Sequence, residues 1–248
     1  MGGVQRPAKF CGGERAEGGL APIAEVRSTI MILESVNVGP MDVNCYILAS
    51  KENAQAIIID PGDQPGKINQ ILKKYKLRAS FIINTHGHYD HIGADDKFGV
   101  PVYIHSEDLA FLKDPKLNLS AFFSIAYNIN SEIKLLHENE IIGLDDIELK
   151  ILHIPGHTPG GVALQMIKPI DSIVFSGDTL FCHGLGRSDL EGGDEALLIK
   201  SIKEKLFSLS DETIVYPGHG PSSTIGDEKR NNPFFNEQIT YGSPERDT

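Results

Sequence analysis

The feature that most constrains this chain is one heptapeptide, Thr85-His86-Gly87-His88-Tyr89-Asp90-His91, set directly after the apolar triplet Phe81-Ile82-Ile83. Three of the chain's nine histidines fall inside it. In extended backbone, residues two apart face the same way, so His86 and His88 can aim two imidazoles at one ion as the strand ends. Asp90 and His91 lie beyond the turn. If a helix starts there, they diverge from the first pair and can serve a second ion a few ångströms away. The fold must therefore end a buried strand at a metal-binding turn.

Two ions need more donors than one heptapeptide holds. Three other turns can supply them: Pro155-Gly156-His157-Thr158-Pro159-Gly160, Ser176-Gly177-Asp178-Thr179 and Tyr216-Pro217-Gly218-His219-Gly220. Each follows a β-like run and brackets its donor with Gly or Pro, as suits a chain turning sharply beside a ligand. Loops at strand ends on a rigid scaffold are a common place for chemistry. The resulting set of five imidazoles and two carboxylates, without thiolate, suits two divalent ions; Zn²⁺ is the first expectation, and Fe or Mn²⁺ is also compatible. Asp178 is the candidate to bridge the pair. Two cations sharing a carboxylate and a water would bring that water's pKa toward neutrality and polarise a carbonyl, which points to hydrolysis.

The rest of the chain predicts the scaffold. With 248 residues, a chain of this size buries about three quarters of its unfolded surface, so no metal is needed merely to fold. Short β-rich runs recur at 30–38, 45–48, 56–59, 81–83, 102–104, 147–154, 162–167, 173–175 and 213–215. Between them, residues 66–75 place Ile68, Ile71, Leu72 and Tyr75 on one helical stripe, and 194–207 do the same with Leu198, Ile202 and Leu206. One domain of mixed sheets covered by helices, over residues 30–248, is expected. Residues 1–29, with three Gly-Gly pairs and scattered charges, read as a disordered N-terminal extension. Cys11, Cys45 and Cys182 are widely spaced and odd in number, which predicts reduced thiols rather than a disulfide framework or zinc ribbon. The net charge of −11 argues against a phosphate-tracking nucleic-acid partner and against anionic membranes. Apolar runs are strand-sized, and no targeting signal stands out, so a soluble cytoplasmic protein is the default. The sequence points to a small-molecule substrate and reveals no protein partner.

The heptapeptide, followed in order by His157, Asp178 and His219, resembles the metallo-β-lactamase-fold hydrolase superfamily. Asp60, in Ile59-Asp60-Pro61-Gly62, matches that superfamily's early Asp motif. Within it, Gly177-Asp178-Thr179-Leu180-Phe181, Gly186-Arg187-Ser188-Asp189 and Gly218-His219-Gly220-Pro221 resemble the single-domain glyoxalase II-like (hydroxyacylglutathione hydrolase-like) branch. The resemblance implies an αββα sandwich of two mixed sheets flanked by helices. One metal would take His86, His88, His157 and Asp178, and the other Asp90, His91, Asp178 and His219. It also implies hydrolysis of a thioester such as S-D-lactoylglutathione by a metal-bridging hydroxide oriented by Asp90. Asp60 would hold a ligand histidine through its other ring nitrogen, and Arg187 would contact the thiol portion of the substrate. The chain extends only 28 residues beyond Gly220, too few for the helical domain that completes the glutathione site in longer members.

Other readings have distinct signatures. A persulfide dioxygenase of the same fold would hold one iron with His86, His157 and Asp178. A lactonase would share the histidine motif, and a non-catalytic zinc-binding module would hold metal without turnover. Asp60 could equally cap the turn before Pro61-Gly62, and Arg187 could brace its loop by pairing with Asp189 or Glu191.

Overall fold

The structure, a computed structural model, describes residues 31–236; the extension expected over residues 1–29 lies outside them. Six strands, β1 (Ile32–Val38), β2 (Val43–Ala49), β3 (Gln55–Ile59), β4 (Arg78–Ile83), β5 (Val102–His105) and β6 (Ile133–Leu136), form one sheet in sequence order. The first three run antiparallel through short connections. From β3 onward the pairing is parallel, because the chain crosses over through helix α1 (Pro65–Lys74) rather than turning back directly. Pro65 suits the first turn of α1, where its missing N–H has no helical partner to lose. Ile68 and Leu72 of that helix are buried, with Ile71 and Tyr75 packed beside them, as the stripe predicts.

The second sheet contains β7 (Ile141–Leu144), β8 (Ile147–His153), β9 (Val162–Lys168), β10 (Ile173–Gly177), β13 (Ile214–Pro217) and β14 (Ser223–Thr224), in the order β14-β13-β10-β9-β8-β7. Between β10 and β13 lie a small hairpin, β11 (Leu180–Phe181) with β12 (Gly184–Leu185), and helix α3 (Glu195–Ser201). Asp194 caps α3 by accepting from the Leu197 N–H, and the helix continues as a wider π turn over Ile202–Leu206. A straight α-helix would rotate positions 198, 202 and 206 progressively around its axis; the wider turn compensates, and all three side chains are fully buried. Helix α4 (Ile225–Asn231), capped by Thr224, follows β14.

Strand alternation builds the layers. Ile57 and Ile59 of β3 face Ile151, Leu164, Ile173 and Phe175 of the second sheet, whereas Ala56 and Ile58 face α1. On the other side, Val174 points away from the inter-sheet core to meet Leu198, Ile202 and Leu206. The order is helix, sheet, sheet, helix. Burying each such Ile or Leu contributes about 1.5–3 kcal/mol, so these two alternating faces hold the sandwich together. The strands without a sequence signal, β6, β7, β11, β12 and β14, are short or lie at sheet edges, where exposed side chains erase the alternation. No helix among the described residues is long and apolar enough to cross a membrane.

Candidate metal centre

Strands β4, β8, β10 and β13 each end in a turn that carries donors, and these turns meet at one end of the sandwich. After β4 the chain bends at Thr85 and His86, His88 is extended, and helix α2 (Tyr89–Ile92) then begins and carries Asp90 and His91. His86, His88 and His157 have ligand atoms within 4.8 Å of one another, and so do Asp90, His91 and His219. Asp178 stands between the sets: one oxygen lies 3.8 Å from His157 Nε2 and 3.5 Å from His219 Nε2, and the other lies 3.3 Å from His91 Nε2. All seven expected donors are therefore in one cluster, and His86 also lies within the same reach of His91 and Asp178, so the two sets adjoin.

Each ring is aimed from behind. His157 Nδ1 donates to the Arg187 carbonyl oxygen at 2.6 Å, and His219 Nδ1 donates to the Met41 carbonyl oxygen at 2.9 Å. Asp60 accepts from Thr85 N–H and Thr85 Oγ1, both at 2.7 Å, and lies 3.0 Å from His91 Nδ1. Thr85 Oγ1 also sits 3.2 Å from His86 Nδ1, so Asp60 steadies both rings, one directly and one through Thr85. Asp60 has a left-handed backbone, φ 50°, which its place in an Asp-Pro-Gly turn and these three contacts sustain. Outer partners of this kind fix the tautomer and direction of ligand rings.

The inner atoms fit cations. With its Nδ1 facing the Arg187 carbonyl oxygen, His157 sets Nε2 2.9 Å from His88 Nδ1 and 3.3 Å from His86 Nε2. Three imidazole nitrogens converge where a proton can satisfy only some of them. His91 Nε2 and Asp178 Oδ1 are buried without a hydrogen-bond partner, a costly state for a purely structural cluster. Burial pushes His86 well below its ordinary pKa, reinforced by its imidazole neighbours, and pushes His88 down to about 3 with help from His157. Burial also lowers His91 and raises Asp178, but their mutual attraction prevails, so His91 sits well above and Asp178 well below the usual values. His219 rises to about 9 despite burial, because Asp178 and Asp90 face it. Lowered His86 and His88 and lowered Asp178 are already in the states that ligation requires, whereas raised His91 and His219 would each release a proton to a cation.

Two structural needs explain nearby glycines. A Cβ on Gly218 would stand 2.2 Å from Asp178 Oδ1, and one on Gly177, whose φ is 51°, would stand 2.4 Å from Thr85 Oγ1.

Several supporting residues gave no sequence signal. Asp108 is fully buried and accepts from Gly87 N–H at 2.9 Å, Thr158 Oγ1 at 2.8 Å and Gly160 N–H at 2.6 Å, binding the heptapeptide to the His157 turn. Asn44 Nδ2 donates to the carbonyl oxygens of Pro217 and Gly220, and Tyr46 OH donates to the same Pro217 oxygen, fastening the His219 turn. All three act on loops far away in sequence, so no local motif marks them. Arg187 does border the cleft, but its guanidinium makes two 2.9 Å bonds to Asp189, and its carbonyl is what touches a donor ring. Cys45 is a buried free thiol, as expected.

Residues 38–219 match the metallo-beta-lactamase superfamily. The chain is similar to the hydroxyacylglutathione hydrolase GloC of Haemophilus influenzae, 37% identical over 215 residues that span 84% of this chain and 100% of the relative. Among solved structures it is similar to the BLEG-1 B3 metallo-beta-lactamase (37% identity, TM-score 0.76, 82% of this chain and 99% of that one). It is also similar to TTHA1623 in a di-iron-bound form (37% identity, TM-score 0.70, 81% and 99%).

Proposed function

The chain belongs to the metallo-beta-lactamase superfamily, and on that premise we propose that it is a hydrolase that uses two divalent cations, Zn²⁺ in the first instance, to cleave a thioester of the S-D-lactoylglutathione type. One observation carries the reading: Asp178 lies within 4 Å of donors from both ligand sets, and its Oδ1 has no hydrogen-bond partner. Thioester chemistry is supported by the similarity to GloC across that protein's whole length. His86, His88, His157 and Asp178 would hold one cation; Asp90, His91, Asp178 and His219 would hold the other. When bound, the cations supply Lewis acidity, lowering the pKa of a water and drawing charge from a carbonyl oxygen.

The chain's own residues do the positioning. Asp90, 3.4 Å from His219 Nε2, would orient the attacking water by accepting its hydrogen bond. Once that water has released a proton to solvent, its oxygen would form the new bond to the acyl carbon. The carbon–sulfur bond would break with the sulfur departing as thiolate, and the acid formed would lose its remaining proton to solvent. Asp60, Thr85 and the carbonyls of Arg187 and Met41 keep the ligand rings from rotating during the step. Arg187, at the rim, is the group that would meet a carboxylate on the thiol.

Metal analysis of the purified protein, paired with an S-D-lactoylglutathione assay that follows thioester absorbance and dissolved oxygen together, tests this. About two metals per chain and thioester loss without oxygen uptake are expected, and Asp178→Asn abolishes turnover while leaving the fold intact. One iron per chain, with persulfide-dependent oxygen uptake and no thioester loss, would overturn the reading in favour of a dioxygenase.

A further inference from the structure

The cleft above the ligands, about 490 Å³, is apolar over much of its wall, with Met41, Phe181, Leu185 and Leu190 among its lining residues. Among the described residues that line it, Arg187 is the one lysine or arginine, and it is paired with Asp189 at the exposed rim. The segment from Leu119 to Phe123 is apolar where it borders the cleft, contributing Leu119, Phe122 and Phe123. Phe122 is 80% exposed and Phe123 54% exposed, although Phe is among the residues most often buried.

This presentation is held in place. The single turn Ser120–Phe123 is bracketed by Leu119, φ 68°, and Ser124, φ 57°, two non-glycine residues in the left-handed region. Fully buried Asn118 fastens it, donating to the carbonyl oxygens of Phe111 and Tyr127 and accepting from Ser120 N–H, while Ser120 Oγ accepts from Tyr127 N–H. Below, Phe123 packs on Tyr89 of α2 with ring centroids 4.7 Å apart. Backbone strain of this kind persists where the surroundings enforce it, and a contiguous exposed apolar face beside a reactive centre marks a ligand surface.

Resting on the thioester reading above, we propose that Leu119, Phe122 and Phe123 form an acyl subsite, and that the preferred substrate carries an apolar acyl group of several carbons rather than a small hydroxylated one. The polar rim at Arg187 takes the thiol end. The acyl end lies against the two phenyl rings, which lose water when it binds.

The test holds the thiol constant. Acetyl, D-lactoyl, butanoyl and hexanoyl thioesters of glutathione are compared as substrates, and their ketone analogues, with a methylene between carbonyl and sulfur, are compared as ligands by calorimetry. We expect kcat/KM to rise about two- to fourfold per added methylene, with D-lactoyl ranking near acetyl. The ketones should tighten in parallel. Phe122→Ala, an exposed position, should lower the hexanoyl-to-acetyl ratio about five- to tenfold. Flat kcat/KM and flat affinity along the series, or an unchanged ratio in Phe122→Ala, would overturn the subsite while leaving the thioesterase standing. Affinity that rises with chain length, in a protein that hydrolyses none of the thioesters, would support the subsite and overturn the hydrolase reading instead.

Discussion

Asp108 offers the sharpest test of how the two ligand loops are held together. Its buried carboxylate receives three donors, the N–H groups of Gly87 and Gly160 and the hydroxyl of Thr158. A buried donor left unpaired costs about 1–3 kcal/mol, so Asp108→Ala is worth about 3–6 kcal/mol, the sum falling below three maximal terms because relaxation and water entry recover part of it. Against a typical native stability of about 5–15 kcal/mol, such a variant is marginal. Asp108→Asn is the more informative change: its amide keeps one acceptor and turns a donor toward a donor, at a cost of about 2–3 kcal/mol. Gly87 lies between the proposed ligands His86 and His88, and Thr158 follows the proposed ligand His157, so the loosened loops should also hold metal less tightly. Urea denaturation, metal stoichiometry after dialysis and kcat/KM are measured together. An Asp108→Asn protein with two tightly held metals and stability within about 0.5 kcal/mol of the parent would refute the argument.

Three further outcomes are expected. Asp60→Asn withdraws the anionic partner of His91 and of Thr85, and should weaken metal binding about 10- to 100-fold in a competition titration; parent-like affinity would remove Asp60 from that role. In metal-free protein, His88 falls from an ordinary 6.5 to about 3 on folding, so the unfolded chain binds the extra proton and stability drops as pH falls from 6.5 toward 3; His219, raised to about 9, stabilises below 6.5 and that contribution is lost as pH climbs through 9. Thermal melts in chelator should thus show losses on both sides, with the alkaline loss absent in metal-loaded protein, and identical profiles with and without metal would contradict the protonation states assigned to these rings. Arg187→Ala should raise KM for S-acylglutathiones about two- to fivefold with kcat unchanged, as expected for an exposed ionic contact made equally throughout the reaction; an unchanged KM would exclude the guanidinium from substrate binding.

The donors and the order of the scaffold were legible in the sequence because they rest on local rules. A buried strand reads as Phe81-Ile82-Ile83, with His86 and His88 just beyond its end. The switch to Asp90 and His91 on α2 follows from the onset of a helix. The αββα layering, too, is written in alternation along β3 and β10 and in the stripes of α1 and α3. The tertiary structure alone decided which groups stand behind those donors. Asp108 reaches partners 21, 50 and 52 residues away, and Asn44 secures a turn 173 residues distant, contacts no periodicity can encode. It also decided the use of Arg187, whose carbonyl aims His157 while its guanidinium pairs with Asp189. Last, it decided the exposure of Phe122 and Phe123, which a sequence reader would send to the core. Burial and hydrogen-bond satisfaction are properties of the whole packing, whereas strand and helix periodicity are properties of neighbours along the chain.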